Sequence, residues 1–150
     1  MSILAQLITS FIATGAFGII FNAPKNSLIK CGLIGMGGWI IYYLIEDYSG
    51  NAVMATWSAA IFIGVVSHIL AKYYKTPVII FSVAGIIPLV PGGLAYDAMR
   101  NFVEKDYNQA LGNAANVLML SGAIAFGLIF SEVLNQSIRK IIRQRMKLRG

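Results

Sequence analysis

Residues 3–21 contain no Lys, Arg, Asp or Glu, and four more largely apolar stretches follow at about 28–44, 52–70, 78–103 and 109–134. A helix rises 1.5 Å per residue, so about 20 apolar residues cross a hydrocarbon layer roughly 30 Å thick. Charged side chains make up only 12% of the chain and hydrophobic ones 57%, against about 25% and 45 to 50% in soluble domains. Disorder is excluded, and a soluble globular enzyme is disfavoured. The expected fold is an all-α membrane protein with five transmembrane helices. Residues 1–137 form the transmembrane domain and 138–150 a basic amphipathic cytoplasmic tail. The first segment reads as a retained helix, because Met1 and Ser2 supply no basic region of the kind that precedes a cleaved signal.

The net charge of +6 is set by the tail. Arg139, Lys140, Arg143, Arg145, Lys147 and Arg149 stand there without an acid among them, and the rest of the chain is neutral. A terminal basic cluster after an apolar segment suits the cytoplasmic face and anionic lipid, not nucleic acid. If all five segments cross with the tail inside, Lys25, Lys30, Lys72, Lys75 and the six tail residues share the inner side, ten of twelve cations. A re-entrant fourth segment would divide them six against six. The positive-inside rule therefore predicts five crossings in the plasma or inner membrane, N-terminus outside and C-terminus cytoplasmic.

Helices in lipid associate through small side chains. Three ladders at four-residue spacing are present: Ser10, Thr14 and Gly18; Ala52, Thr56, Ala60 and Gly64; Ala123, Gly127 and Ser131. They predict a compact bundle, or one completed by another subunit. His68 extends the second ladder by one step and should face protein. It reads either as a proton carrier or as a hydrogen-bonded or snorkelling residue near Lys72. Gly32, Gly35, Gly37 and Gly38 mark a flexible or closely approached second helix. Cys31 is a small packing residue; alone, it forms no internal disulfide and no Cys-only zinc site.

The fourth segment contains Pro88, Pro91, Gly92 and Gly93. Each proline removes a helical N–H and crowds a carbonyl one turn back, so the helix should break near mid-membrane between Pro88 and Gly93. Gly92 and Gly93 permit dihedrals closed to other residues. Irregular backbone at that depth survives only beside protein or a water-filled cavity. A half-helix restarting near Leu94 would aim free N–H groups and its positive end at that cavity, which suits a carboxylate. Secondary transporters use broken helices in this way; a proline kink or a loop at the membrane edge is the simpler reading. Asp97 and Arg100 stand at i, i+3 and can pair on one face, as an outer salt bridge or as ligands. Asn113 and Asn116 can line the same cavity or bond another helix.

The candidate substrate-binding residues are thus Ser82, Gly85, Pro88, Pro91, Gly92, Gly93, Asp97, Arg100, Asn113 and Asn116, with His68 and Asp97 the candidates for proton coupling. No cofactor is expected, and no catalytic or metal-binding residue: the one histidine, one cysteine and absent Gly-x-Ser-x-Gly pattern argue against an enzyme. A non-transporting membrane scaffold or assembly subunit, and a channel, remain as alternatives.

The run from Pro77 to Gly93, with Gly-Ile-Ile-Pro-Leu-Val-Pro-Gly at 85–92, resembles the threonine/serine exporter family. In length and segment pattern the chain is similar to the small subunit of its two-component form. That resemblance implies export of small amino acids or of dicarboxylates such as succinate, coupling to the proton motive force, and a larger membrane subunit of the same family as partner. A second copy of this chain is the other partner to consider. The resemblance rests on Pro88, Pro91 and Gly92 more than on Gly93.

Overall fold

The computed structural model describes residues 3–147, with side chains through residue 141. Six α-helices follow in order: α1 (Ile3–Ile20), α2 (Lys25–Ser49), α3 (Ala52–Tyr74), α4 (Val78–Ile86), α5 (Gly92–Val103) and α6 (Tyr107–Lys147), with a 3₁₀ turn at Ile87–Leu89 between α4 and α5. The protein is an all-α, multi-pass membrane protein. Local chemistry sets each helix end. Pro24 and Pro77 precede α2 and α4 in extended conformations, and Gly50 closes α2 at φ 63°, a left-handed conformation that glycine adopts without strain. The Asn51 side chain accepts hydrogen bonds from the Val53 and Met54 amides at the start of α3, taking up two of the donors that a helix leaves free. α6 runs without interruption through Ser137 and Ile138, so the tail continues the last helix. The tail residues Arg143, Arg145 and Lys147 lie beyond the described side chains and Arg149 beyond the described residues.

The three small-residue ladders are buried except at Ala52, the half-buried first rung on α3. A Cβ on Gly32 would stand 2.6 Å from the Phe11 ring, Gly35 lies directly under Thr14, and a Cβ on Gly38 would stand 2.5 Å from Ile63. The α2 glycines are therefore sites of close helix approach. Gly85 on α4 seats against Ile34 and Ile63, each 2.8 Å from a Cβ placed there. Cys31 is fully buried, its thiol facing the Ile80 carbonyl at 3.7 Å. Without a hydrophobic drive between helices in lipid, this backbone proximity and its dispersion contacts hold the bundle together.

The number of crossings follows from which helices run parallel. α3 and α6 lie side by side with Ala60 at Gly127, Gly64 at Ser131 and His68 at Glu132, and at the start of α3 Val53 and Met54 share a cleft with Leu118 and Gly122, earlier on α6. Both sequence numbers rise together, so the two helices are parallel. A chain that leaves α3 at Tyr74 must recross the membrane before it enters α6. Only α4 and α5 are available for this, bent by 53° where they meet. They form one broken crossing, not a re-entrant loop, which would have made α3 and α6 antiparallel. Reporters inserted in the turn at Gly50 and fused after Gly150 are thus expected to read opposite sides of the membrane. The same side for both would refute the five-crossing arrangement.

Candidate functional site

The break begins where the sequence places it and ends slightly earlier. α4 stops at Ile86, Pro88 sits in the 3₁₀ turn, and Val90 is extended at φ −65°, ψ 125°, the conformation that a following proline enforces. Pro91 then caps α5, which starts at Gly92 and not near Leu94. Gly92 and Gly93 are ordinary helical residues with negative φ. Their place in the first turn needs no unusual dihedral, because Val90 and Pro91 absorb the change of direction. No side chain caps the free N–H groups of that turn.

α4 packs on α1, α2 and α3, whereas α5 leans on α6 and has no buried residue of its own. Pro88 and Pro91 are half-buried; Gly92, Gly93, Asp97 and Arg100 are exposed on α5, and on α6 Asn113 is half-buried and Asn116 exposed. The expected Asp97–Arg100 pair is corrected. Arg100 Nε donates to Glu104 Oε1 at 2.9 Å, an exposed i, i+4 bond; that spacing stacks the two side chains on one face more directly than i, i+3. The break and its polar followers therefore lie along a face that this chain alone leaves open.

The other candidates converge inside the bundle. His68 is 9% exposed, as its place on the α3 ladder predicts, and it is hydrogen-bonded on two sides. Its Nδ1–H donates to the Gly64 carbonyl at 2.7 Å, and Nε2 meets Glu132 Oε2 on α6 at 2.5 Å. Glu132 also accepts from Gln136 Nε2 at 3.0 Å. Ser82, one turn into α4, shares with His68 and Glu132 a cleft of about 260 Å³ between α3, α4 and α6. On its other side His68 lines a larger groove of about 770 Å³ with Lys72, Tyr73, Asn135 and Arg139. Ser82 and His68 are thus brought together, while Asp97 and Arg100 belong to α5, the second half of the broken crossing.

Glu132 is the residue that the sequence reading passed over. Two signals were available. It is the one acid between Tyr107 and Gln136, and it directly follows Ser131, the last rung of the α6 ladder. An ionisable side chain within an apolar segment is a functional candidate by default.

The arrangement defines a class: a membrane bundle with one crossing broken at paired prolines and an ionisable pair, His68 buried and Glu132 half-exposed, linking two others, as in secondary carriers. Residues 6–134 match the family profile described as "Threonine/Serine exporter, ThrE", and the chain belongs to the threonine/serine exporter family, a family of transporters. A protein of Corynebacterium glutamicum named "Threonine/serine exporter" is 29% identical over 139 residues, covering 93% of this chain and 28% of its own length. A Haemophilus influenzae protein named only as uncharacterized is 29% identical over 136 residues, covering 85% of this chain and 46% of its own length. The chain therefore spans less than half the length of either relative. No solved structure matches it.

Proposed function

We propose that this chain is one half of a secondary transporter that exports small amino acids of the threonine/serine type, or dicarboxylates such as succinate, across the plasma or inner membrane and couples export to the proton motive force. The observation that carries the reading is the 53° break between α4 and α5. It puts uncapped amides at mid-crossing, where an anionic carboxylate group is a suitable ligand. In this reading Pro88, Pro91, Gly92 and Gly93 shape the site, Ser82, Asn113 and Asn116 flank the approach, and Asp97 and Arg100 meet the charged ends of the substrate; Gly85, expected from the sequence to bind substrate, is instead packed against Ile34 and Ile63 and has no room for a ligand. His68 and Asp97 are the proton-coupling candidates.

The partner is a larger membrane subunit of the same family. Two observations support this. The relatives are more than twice as long as the region they share with this chain, and the α5 face next to the break is open. The tail cations lie on the cytoplasmic side against anionic lipid, so the reporter after Gly150 is expected to read cytoplasmic and the one at Gly50 external.

Reconstitution tests the whole reading. Purified chain, with and without the subunit that co-purifies in mild detergent, is placed in liposomes and assayed for counterflow against threonine, serine and succinate. Saturable counterflow is expected only with both subunits present. Saturable, proton-driven export by the isolated chain would remove the hetero-partner, and stable co-purification with no counterflow of any substrate would favour an assembly subunit.

A further inference from the structure

We propose that His68 and Glu132 form a proton-binding site that carries the coupling proton between the two clefts that His68 lines; the transport role rests on the function proposed above, the proton site itself on geometry. The protonation of the pair follows from its contacts. The Gly64 carbonyl can only accept, so Nδ1 keeps its hydrogen. The 2.5 Å approach of Nε2 to Glu132 Oε2 then requires one more proton between them, since a bare nitrogen lone pair facing a carboxylate repels. The pair holds that proton and is neutral overall.

Release breaks the Nε2–H bond, or the Oε2–H bond in the tautomer with the proton on Glu132. The proton passes to a water molecule, leaving neutral imidazole with Nδ1–H and a carboxylate. Both sides give access. Ser82 lies on the α4 side, across the smaller cleft, and the Glu132 side chain is 49% exposed. The larger groove opens toward Lys72 and Arg139, cations that draw the freed carboxylate toward that end. α4 presents no ionisable group to the pair, and on α2 the Lys30 ammonium is occupied 3.2 Å from the centre of the Tyr74 ring. Losing the proton therefore weakens the one ion-paired link between α3 and α6 among the described side chains, across the smaller cleft from the first half of the broken crossing.

The single histidine makes the test direct. In ¹⁵N-histidine-labelled protein in lipid bilayers, Nδ1 is expected to be protonated. Nε2 is expected to share a strongly downfield proton with Glu132 that exchanges with water. A bare Nε2, a bare Nδ1, or a shared proton that does not exchange with water overturns the site. In the co-purified complex, Glu132→Gln and His68→Gln are expected to lower pH-gradient-driven accumulation by at least about tenfold, the loss of a charge-assisted hydrogen bond, while counterflow persists. Gradient-driven accumulation at wild-type rates in both variants overturns the coupling role. Wild-type complex that moves no substrate overturns the transporter reading instead, and the spectroscopic signature on the unsubstituted chain still decides the proton site.

Discussion

Replacing Pro88 and Pro91 together by alanine is expected to reduce export to a few per cent of wild type while leaving the protein in the membrane. Each proline disfavours a helix by about 3 kcal/mol relative to alanine. Relieving both is enough to move a balance between broken and continuous helix from about 99:1 to 1:99. Val90, extended only because a proline follows it, becomes free to join the helix. The uncapped amides at Gly93 and Leu94 would then bond within the helix and be lost to a substrate. A second readout separates this from misfolding. A continuous helix from Val78 to Val103 is roughly 39 Å long at 1.5 Å per residue, so spin labels at its two ends should move apart from their separation across the 53° bend. Full export by the double variant, with the labels unmoved or moved, would reject a role for the break.

Gly127→Val is expected to lower stability in detergent by about 1 to 3 kcal/mol, the usual result of overpacking a filled contact, and to abolish export. A Cβ at Gly127 would stand 2.7 Å from the Ala60 Cβ and 2.9 Å from the Trp57 carbonyl oxygen. The second of these is backbone and cannot turn aside, so α3 and α6 must separate, and His68 loses its reach to Glu132. Gly122→Val supplies the comparison. It lies on the same helix with nothing within 4 Å of its Cβ position, and it should be close to neutral in thermal unfolding and in transport. Equal effects of the two substitutions would show that the α3–α6 contact is not as close as described.

Much of the bundle could be read directly from the residues. The five apolar segments, the three ladders and the break at Pro88 and Pro91 all depend on properties that each segment carries alone. Lipid rewards a sufficient apolar length, small residues in register let helices approach, and proline obstructs a helix wherever it stands. The sequence places the restart of α5 near Leu94 because Gly92 and Gly93 permit non-helical dihedrals, whereas they occupy the first helical turn after a proline cap. Arg100 can reach Asp97 by spacing alone, but Glu104, one full turn on along the same face, is the partner it takes.

What lay beyond the residues in order was the pairing of segments that are not neighbours in the chain. That the α3 ladder meets the α6 ladder, in parallel and with Gly64 at Ser131, depends on the rotation and register of both helices about the rest of the bundle. So does the contact between His68 and Glu132, 64 residues apart. The same dependence makes Gly127 critical and Gly122 free although both are glycines in one apolar run, and it separates the inner His68 cleft from the outer face that bears Asp97 and Arg100. Periodicity specifies which face of a helix is small and which is apolar. Only the packed bundle specifies what that face touches, because close contact is a relation between two helices and is encoded in neither one alone.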